Sequence, residues 1–196
     1  LDKGYTDKEI QVLAPIYKSI NGIDNLNRNL QQIFNPKSPD KNELELSDVI
    51  YRKGDKVLQL ANDPDLNLSN GDIGYILDIT KKDKTSSKKD EILIDFDGNK
   101  VVYTKEKLIN IRHGYAISIH KSQGSEFPMV IMPIVNNYNR MLYNKLIYTA
   151  VTRAKSSLII IGDPACFING IKNDYVENRK TTLKDMIIDK YANIKN

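Results

Sequence analysis

Between Ser118 and Glu126 the chain places a serine, a histidine, a lysine, a second serine, a glutamine, a glycine and a glutamate at the end of an apolar-alternating run, Tyr115 to Ile119. Packing alone does not call for such a cluster where a buried strand ends. In open α/β sheets ligands sit beyond the carboxyl ends of the strands. Small hydroxyls and backbone amides there can hold phosphate, and a lysine adds a point charge. Ser118, His120, Lys121 and Ser122 therefore suit a nucleic-acid backbone. Gln123, Gly124 and Glu126 suit a nucleotide, because Gly124 permits close approach and Glu126 can accept from a ribose hydroxyl. The plainer alternative is an ordinary polar turn with Glu126 in solvent.

A second cluster centres on Arg153, beside Thr149 and Thr152 on a run otherwise made of Leu, Ile, Ala and Val. A guanidinium is permanently charged and can bridge two phosphate oxygens, which matches the charge that develops on a transferring γ-phosphate. Its alternative is a cation stabilising a helix C-terminus, worth about 0.3–1 kcal/mol. Tyr148 is expected to pack, and Lys155 fits either a solvated end charge or a phosphate contact.

The elements that must position these residues follow from periodicity. Ile10 to Ala14 reads as a buried strand closed by Pro15, and Gly22 to Phe34 as an amphipathic helix with Ile23, Leu26, Leu30 and Ile33 on one face. From about Ser47 to Arg112 the texture turns to short β runs: Lys56 to Leu60, Ile73 to Ile79, Glu91 to Phe96 and Lys100 to Tyr103. Asn70-Gly71, the lysine-rich stretch Lys81 to Asp90 and Asp97-Gly98-Asn99 separate them, the last a hairpin signature. These features predict a small barrel. Strands at Tyr115 to Ile119 and Met129 to Ile134, a helix over Asn139 to Ala154, and a strand at Ser157 to Ile161 covered on both faces complete the alternation, with a terminal helix over Thr181 to Ala192. The expected architecture is α/β: one domain from residues 1–46 and 113–196, interrupted by a barrel over residues 47–112.

Several chemistries are excluded. Cys166 is the single cysteine, so no internal disulfide and no multi-cysteine zinc site can form; with only His113 and His120 besides, no metal site is expected. The 196 residues, 40% of them hydrophobic, carry no apolar run long enough to span a bilayer and no signal-peptide layout at Leu1 to Gly4, so a reducing cytoplasm is the expected compartment. The excess of 29 basic over 25 acidic residues suits a polyanion partner without demanding one. Asp95 and Asp163 end apolar runs as magnesium-binding acids do, but the first enters a hairpin and the second follows Gly162. No glycine precedes a lysine, so a phosphate-cradling G-x-x-x-x-G-K-[ST] loop is absent. The chain begins without methionine and is expected to be an excised piece.

The string H-K-S-Q-G-S-E-F (120–127) resembles motif V of RecD-like superfamily 1 helicases, and L-I-Y-T-A-V-T-R-A-K (146–155) resembles their motif VI. V-L-A-P-I-Y, G-I-D-N-L-N-R-N-L-Q and N-P are similar to the family's segment before its inserted barrel, and G-D-K-V-L-Q with N-G-D-I-G to the start of that insertion. The resemblance covers most of residues 10–163. It implies a second RecA-like motor domain, of the P-loop type but lacking the P-loop itself, interrupted by a Src-homology-3-like barrel. By position Arg153 would be the arginine finger, with Gln123, Gly124 and Glu126 facing ATP and Ser118, His120, Lys121 and Ser122 tracking single-stranded DNA. Ser118 stands where family members often have threonine. ATP and Mg2+ would be bound mainly by a first motor domain carrying the Walker motifs. Movement 5′ to 3′ and recombination or repair partners are implied in the same way. The lysines at 81, 82, 84, 88 and 89 are better read as a solvated hairpin than as a DNA contact. A non-catalytic binding module, or part of a relaxase-linked conjugative helicase, are the competing readings.

Overall fold

The computed structural model describes residues 4–174 and 182–192. Its first layer is a parallel sheet of β1 (Ile10–Ala14), β9 (Ala116–Ser118), β10 (Phe127–Ile134) and β11 (Ala154–Gly162), in the order β11-β10-β1-β9. Val12 pairs with Ala116 and with Ile131, so the two ends of the chain share one sheet although a hundred residues separate them. Helix α1 (Ile23–Phe34) lies against β9, while α2 (Asn144–Val151) and α3 (Pro164–Lys172) pack on each other, α3 also against β10. Leu13, Val130, Met132, Ile134, Tyr138 and Ala150 form the fully buried centre of this unit. α4 (Leu183–Ala192) closes the described chain, and the start of the expected terminal helix at Thr181 lies outside the described residues.

The second unit is an antiparallel sheet in the order β7-β6-β5-β4-β8, from β4 (Lys56–Gln59), β5 (Ile73–Thr80), β6 (Glu91–Phe96), β7 (Asn99–Thr104) and β8 (Ile111–His113). Its β6–β7 turn has Asp97 and Gly98 both at positive φ, 52° and 90°, as a two-residue hairpin requires. The hairpin of β2 (Glu43–Leu46) and β3 (Val49–Arg52) adds Leu44 and Tyr51 to the core of Val57, Ile76, Ile79, Ile92, Ile94, Phe96, Tyr103 and Ile111. The barrel core thus starts at Leu44, ahead of the expected boundary at residue 47, which falls in the tight turn of that hairpin.

Three expectations need correcting. On α1, Ile23 is buried and Leu26 and Leu30 pack against the apolar core as expected, but Ile33 is 62% exposed and the polar Asn27 and Gln31 are buried in its place. The helix sits where sheet and barrel meet, and part of what faces it is polar. Asn27 brackets the Ala116 peptide with two hydrogen bonds, and Gln31 and Asn35 donate to the Asp55 carboxylate. The run Asn139 to Ala154 is helical only from Asn144 to Val151, because the asparagines at 136, 137 and 139 sit in a short 3-10 helix and turn instead. Finally, β11 is an edge strand. Leu158, Ile160 and Ile161 are 38–59% exposed, so the described residues do not cover its faces on both sides. No helix among the described residues is long and apolar enough to cross a membrane.

Both units are tied at their junction. Asp55, wholly buried, accepts from Gln31, Asn35, the Arg52 backbone and the Tyr115 hydroxyl, with His113 Nε2 at 3.1 Å. Beside it the Lys56 ammonium, 1% exposed, donates to the Ile10 carbonyl at 3.0 Å, and burial pulls its pKa down to about 8. The fold therefore fixes the barrel to the sheet through polar contacts made in a dry setting.

Candidate nucleotide and nucleic-acid interface

β9 ends at Ser118, whose hydroxyl accepts from the Lys121 backbone amide and so caps a 3-10 turn over Ile119–Ser122. Ser118 is largely buried and Ser122 completely so, its hydroxyl donating to the Ile119 carbonyl at 2.7 Å. From there the Ser122 hydroxyl shapes the turn. Lys121 is also otherwise engaged, its ammonium donating to Asn70 Oδ1 and reaching the Leu60 carbonyl at 3.4 Å, so it braces the turn against the barrel. His120 is the one residue of the expected DNA-facing set that stands exposed. Sequence reasoning grouped these four by type, whereas a tight turn separates those pointing in from those pointing out.

Gln123, Gly124 and Glu126 follow on an exposed loop, with Gly124 at φ +85° and no atom within 4 Å of where a Cβ would be. The structure brings this loop to Arg153. α2 stops at Val151, Thr152 and Arg153 turn, and β11 starts at Ala154, opposite Phe127. The half-buried Arg153 side chain donates from Nε to the Thr149 carbonyl, from Nη2 to the Thr152 hydroxyl and from Nη1 to the Ser125 carbonyl, each at 3.1 Å. A guanidinium carries five N–H donors, so it is oriented on three sides with donors left for an anion. The threonine hydroxyls donate to the helix carbonyls of Lys145, Tyr148 and Thr149 and serve the helix end rather than a phosphate. Tyr148, expected to pack, is 69% exposed.

Sequence reasoning missed Ser125, which acts through its main-chain carbonyl and leaves no signal in residue type. Both false acids are explained. Asp95 accepts from the Gly98 amide within the hairpin, and Asp163 caps α3 by accepting from the Ala165 amide at 2.8 Å. Among the described residues no three His, Cys, Asp or Glu side chains converge to hold a metal. What this surface offers a nucleotide is a cation, one carboxylate and main-chain groups.

Residues 26–96 match the family of the ATP-dependent RecD-like DNA helicase SH3 domain, and residues 113–161 that of the UvrD-like helicase C-terminal domain. A Pif1 helicase from Bacteroides, crystallised with ADP-AlF3 and single-stranded DNA, shares the fold at TM-score 0.56 and 15% identity over 97% of this chain and 47% of its own. Fold and matches define a RecA-like domain of a superfamily 1 helicase with an SH3-like insertion. The ATP-dependent RecD2 DNA helicase of Deinococcus radiodurans is 34% identical over 158 residues, 81% of this chain and 21% of that protein. The RecBCD enzyme subunit RecD of Buchnera aphidicola is 30% identical over 166 residues, 82% of this chain and 26% of its own length. The chain belongs to the RecD-like helicases, as their second RecA-like domain with its inserted barrel, and spans about a fifth to a quarter of these relatives.

Proposed function

We propose that this chain is the second motor domain of an ATP-dependent DNA helicase that moves 5′ to 3′ on single-stranded DNA, with Arg153 as its arginine finger. The observation that carries the reading is the triple tether of Arg153 beside an exposed Gln123–Glu126 loop, which holds a half-buried cation ready for a ligand that this chain only half encloses. ATP with Mg2+ would lie between this face and a first motor domain of the same protein, which supplies the phosphate loop. Arg153 then offers its spare N–H donors to the γ-phosphoryl oxygens, where charge develops during transfer. Gln123 and Glu126 meet the nucleotide, with Glu126 accepting from the ribose and Gly124 keeping the approach open.

On the DNA side the exposed His120 is the contact. Ser118 and Ser122 hold its turn, and Lys121 braces that turn against the barrel. Closure around ATP and reopening after hydrolysis would step the strand through the groove. Without the first motor domain the chain does not turn over ATP. Its compartment is the cytoplasm, and the RecBCD subunit among the relatives supports recombination or repair partners. The barrel unit with its hairpin, about residues 43–112, is the insertion, and the remainder is the motor domain. Arg153→Ala in the intact protein tests the reading: DNA-stimulated ATP turnover is abolished while ATP and DNA still bind. Undiminished turnover in that variant would overturn it.

A further inference from the structure

The loop that bears Ser125 and Glu126 is fastened to the segment that bears Arg153 at three points. Phe127 N–H donates to the Arg153 carbonyl at 2.8 Å, Arg153 Nη1 donates to the Ser125 carbonyl, and Lys155 Nζ lies 3.3 Å from Glu126 Oε2. The first two are main-chain contacts or depend on one. The third is a pair of side chains, each more than half exposed, and it lies beside an irregularity in the sheet. Phe127 pairs with Ala154 and Met129 with Ser157, so Lys155 and Ser156 together oppose the single residue Pro128. A proline has no N–H to give a ladder, and an extra residue opposite it re-aims the side chains of the bulged strand. Here the re-aimed side chain is Lys155, which meets the residue just before Phe127.

The same loop is continuous with the DNA-facing turn. Gln123 N–H donates to the His120 carbonyl at 3.3 Å and Ser125 N–H to the Ser122 carbonyl at 3.0 Å. Two overlapping turn bonds, His120 to Gln123 and Ser122 to Ser125, thus hold the chain between His120 and Ser125, whose carbonyl receives the Arg153 guanidinium. Lys155 with Glu126 adds a side-chain tie to the two that already seat the loop on the arginine.

We propose that Lys155 is a positioning residue: by pairing with Glu126 it clamps the Ser125–Phe127 loop onto Arg153, so that strand occupancy at the His120 turn sets the finger's direction and couples DNA to ATP turnover. The inference rests on the assignment of Arg153 as the finger. Lys155 itself touches no substrate. An exposed pair of this kind is worth at most about 1 kcal/mol, so its loss changes a rate by about five-fold or less.

The test is ATP turnover by the intact protein carrying Lys155→Met, which keeps most of the stem and removes the charge, and Lys155→Arg, which keeps the charge. With saturating single-stranded DNA, Lys155→Met lowers the ratio of DNA-stimulated to DNA-free turnover about two- to five-fold. Lys155→Arg restores the ratio. An unchanged ratio in Lys155→Met overturns the proposal. So does a raised KM for ATP in the absence of DNA with the ratio kept, the sign of a direct phosphate contact. A normal ratio in Lys155→Met together with an inactive Arg153→Ala removes the clamp alone, whereas an active Arg153→Ala removes the finger assignment itself.

Discussion

Replacing Asp55 by alanine should cost a large part of the chain's stability. The carboxylate is wholly buried, and four donors converge on it: Gln31 Nε2 at 2.6 Å, Asn35 Nδ2 and Arg52 N at 2.7 Å, and the Tyr115 hydroxyl at 3.0 Å, with His113 Nε2 near by. A hydrogen bond to a charged group contributes about 1.5–3 kcal/mol, but such bonds do not add when they share one acceptor. Removing one partner from a buried charged cluster costs about 3–5 kcal/mol, because the donors left behind stay dry and unpaired. We expect a loss of that size, which for a protein of this length lowers Tm by roughly 6–20 °C. Asp55→Asn should fall in the same direction, since its NH2 would face donors. Urea unfolding of wild type and both variants measures it. A loss below about 1 kcal/mol in Asp55→Ala, or an Asn variant as stable as wild type, would refute the view that this carboxylate ties helix, sheet and barrel together.

Two further outcomes follow from buried or engaged lysines. Burial lowers the Lys56 pKa from 10.5 to about 8 in the folded state, so between these values the unfolded chain holds more protons and stability rises with pH. The gain from pH 8 to 9.5 should be about 1–2 kcal/mol by urea unfolding at each pH, and Lys56→Met should flatten it. Because the Lys121 ammonium is held by Asn70 and Leu60, Lys121→Ala should leave the salt dependence of single-stranded DNA binding unchanged. A lysine paired with phosphate would instead lower that slope by about 0.7.

The strands were legible because alternation and turn chemistry point the same way: Ile10 to Ala14 and Glu91 to Phe96 stand where the periodicity sets them, and Asp97-Gly98 makes its turn. The buried side of α1 was legible only at Ile23, Leu26 and Leu30, because Asn27, Gln31 and Asn35 recur at helical spacing but are polar, and their burial depends on Ala116 and Asp55, remote in sequence. β11 was misjudged for a related reason, since an apolar run says nothing about which elements will lie over the faces of its strand. Within the site, Arg153 and the Gln123–Glu126 loop stood out by residue type. Ser122 and Lys121 looked alike as phosphate ligands, yet one is buried in a turn and the other spent on the barrel.

The central claim is that Arg153 completes an ATP site whose other half lies outside this chain. Single-turnover ATP hydrolysis by the intact protein, with saturating single-stranded DNA, tests it most directly in Arg153→Ala and Arg153→Lys. Loss of an arginine finger costs about 10³–10⁵ in rate, and lysine, a point charge without the planar fork, should restore little of it. Both variants should bind ATP and DNA nearly as wild type does and hydrolyse at least about a thousand-fold more slowly. Hydrolysis within ten-fold of wild type in Arg153→Ala would contradict the account.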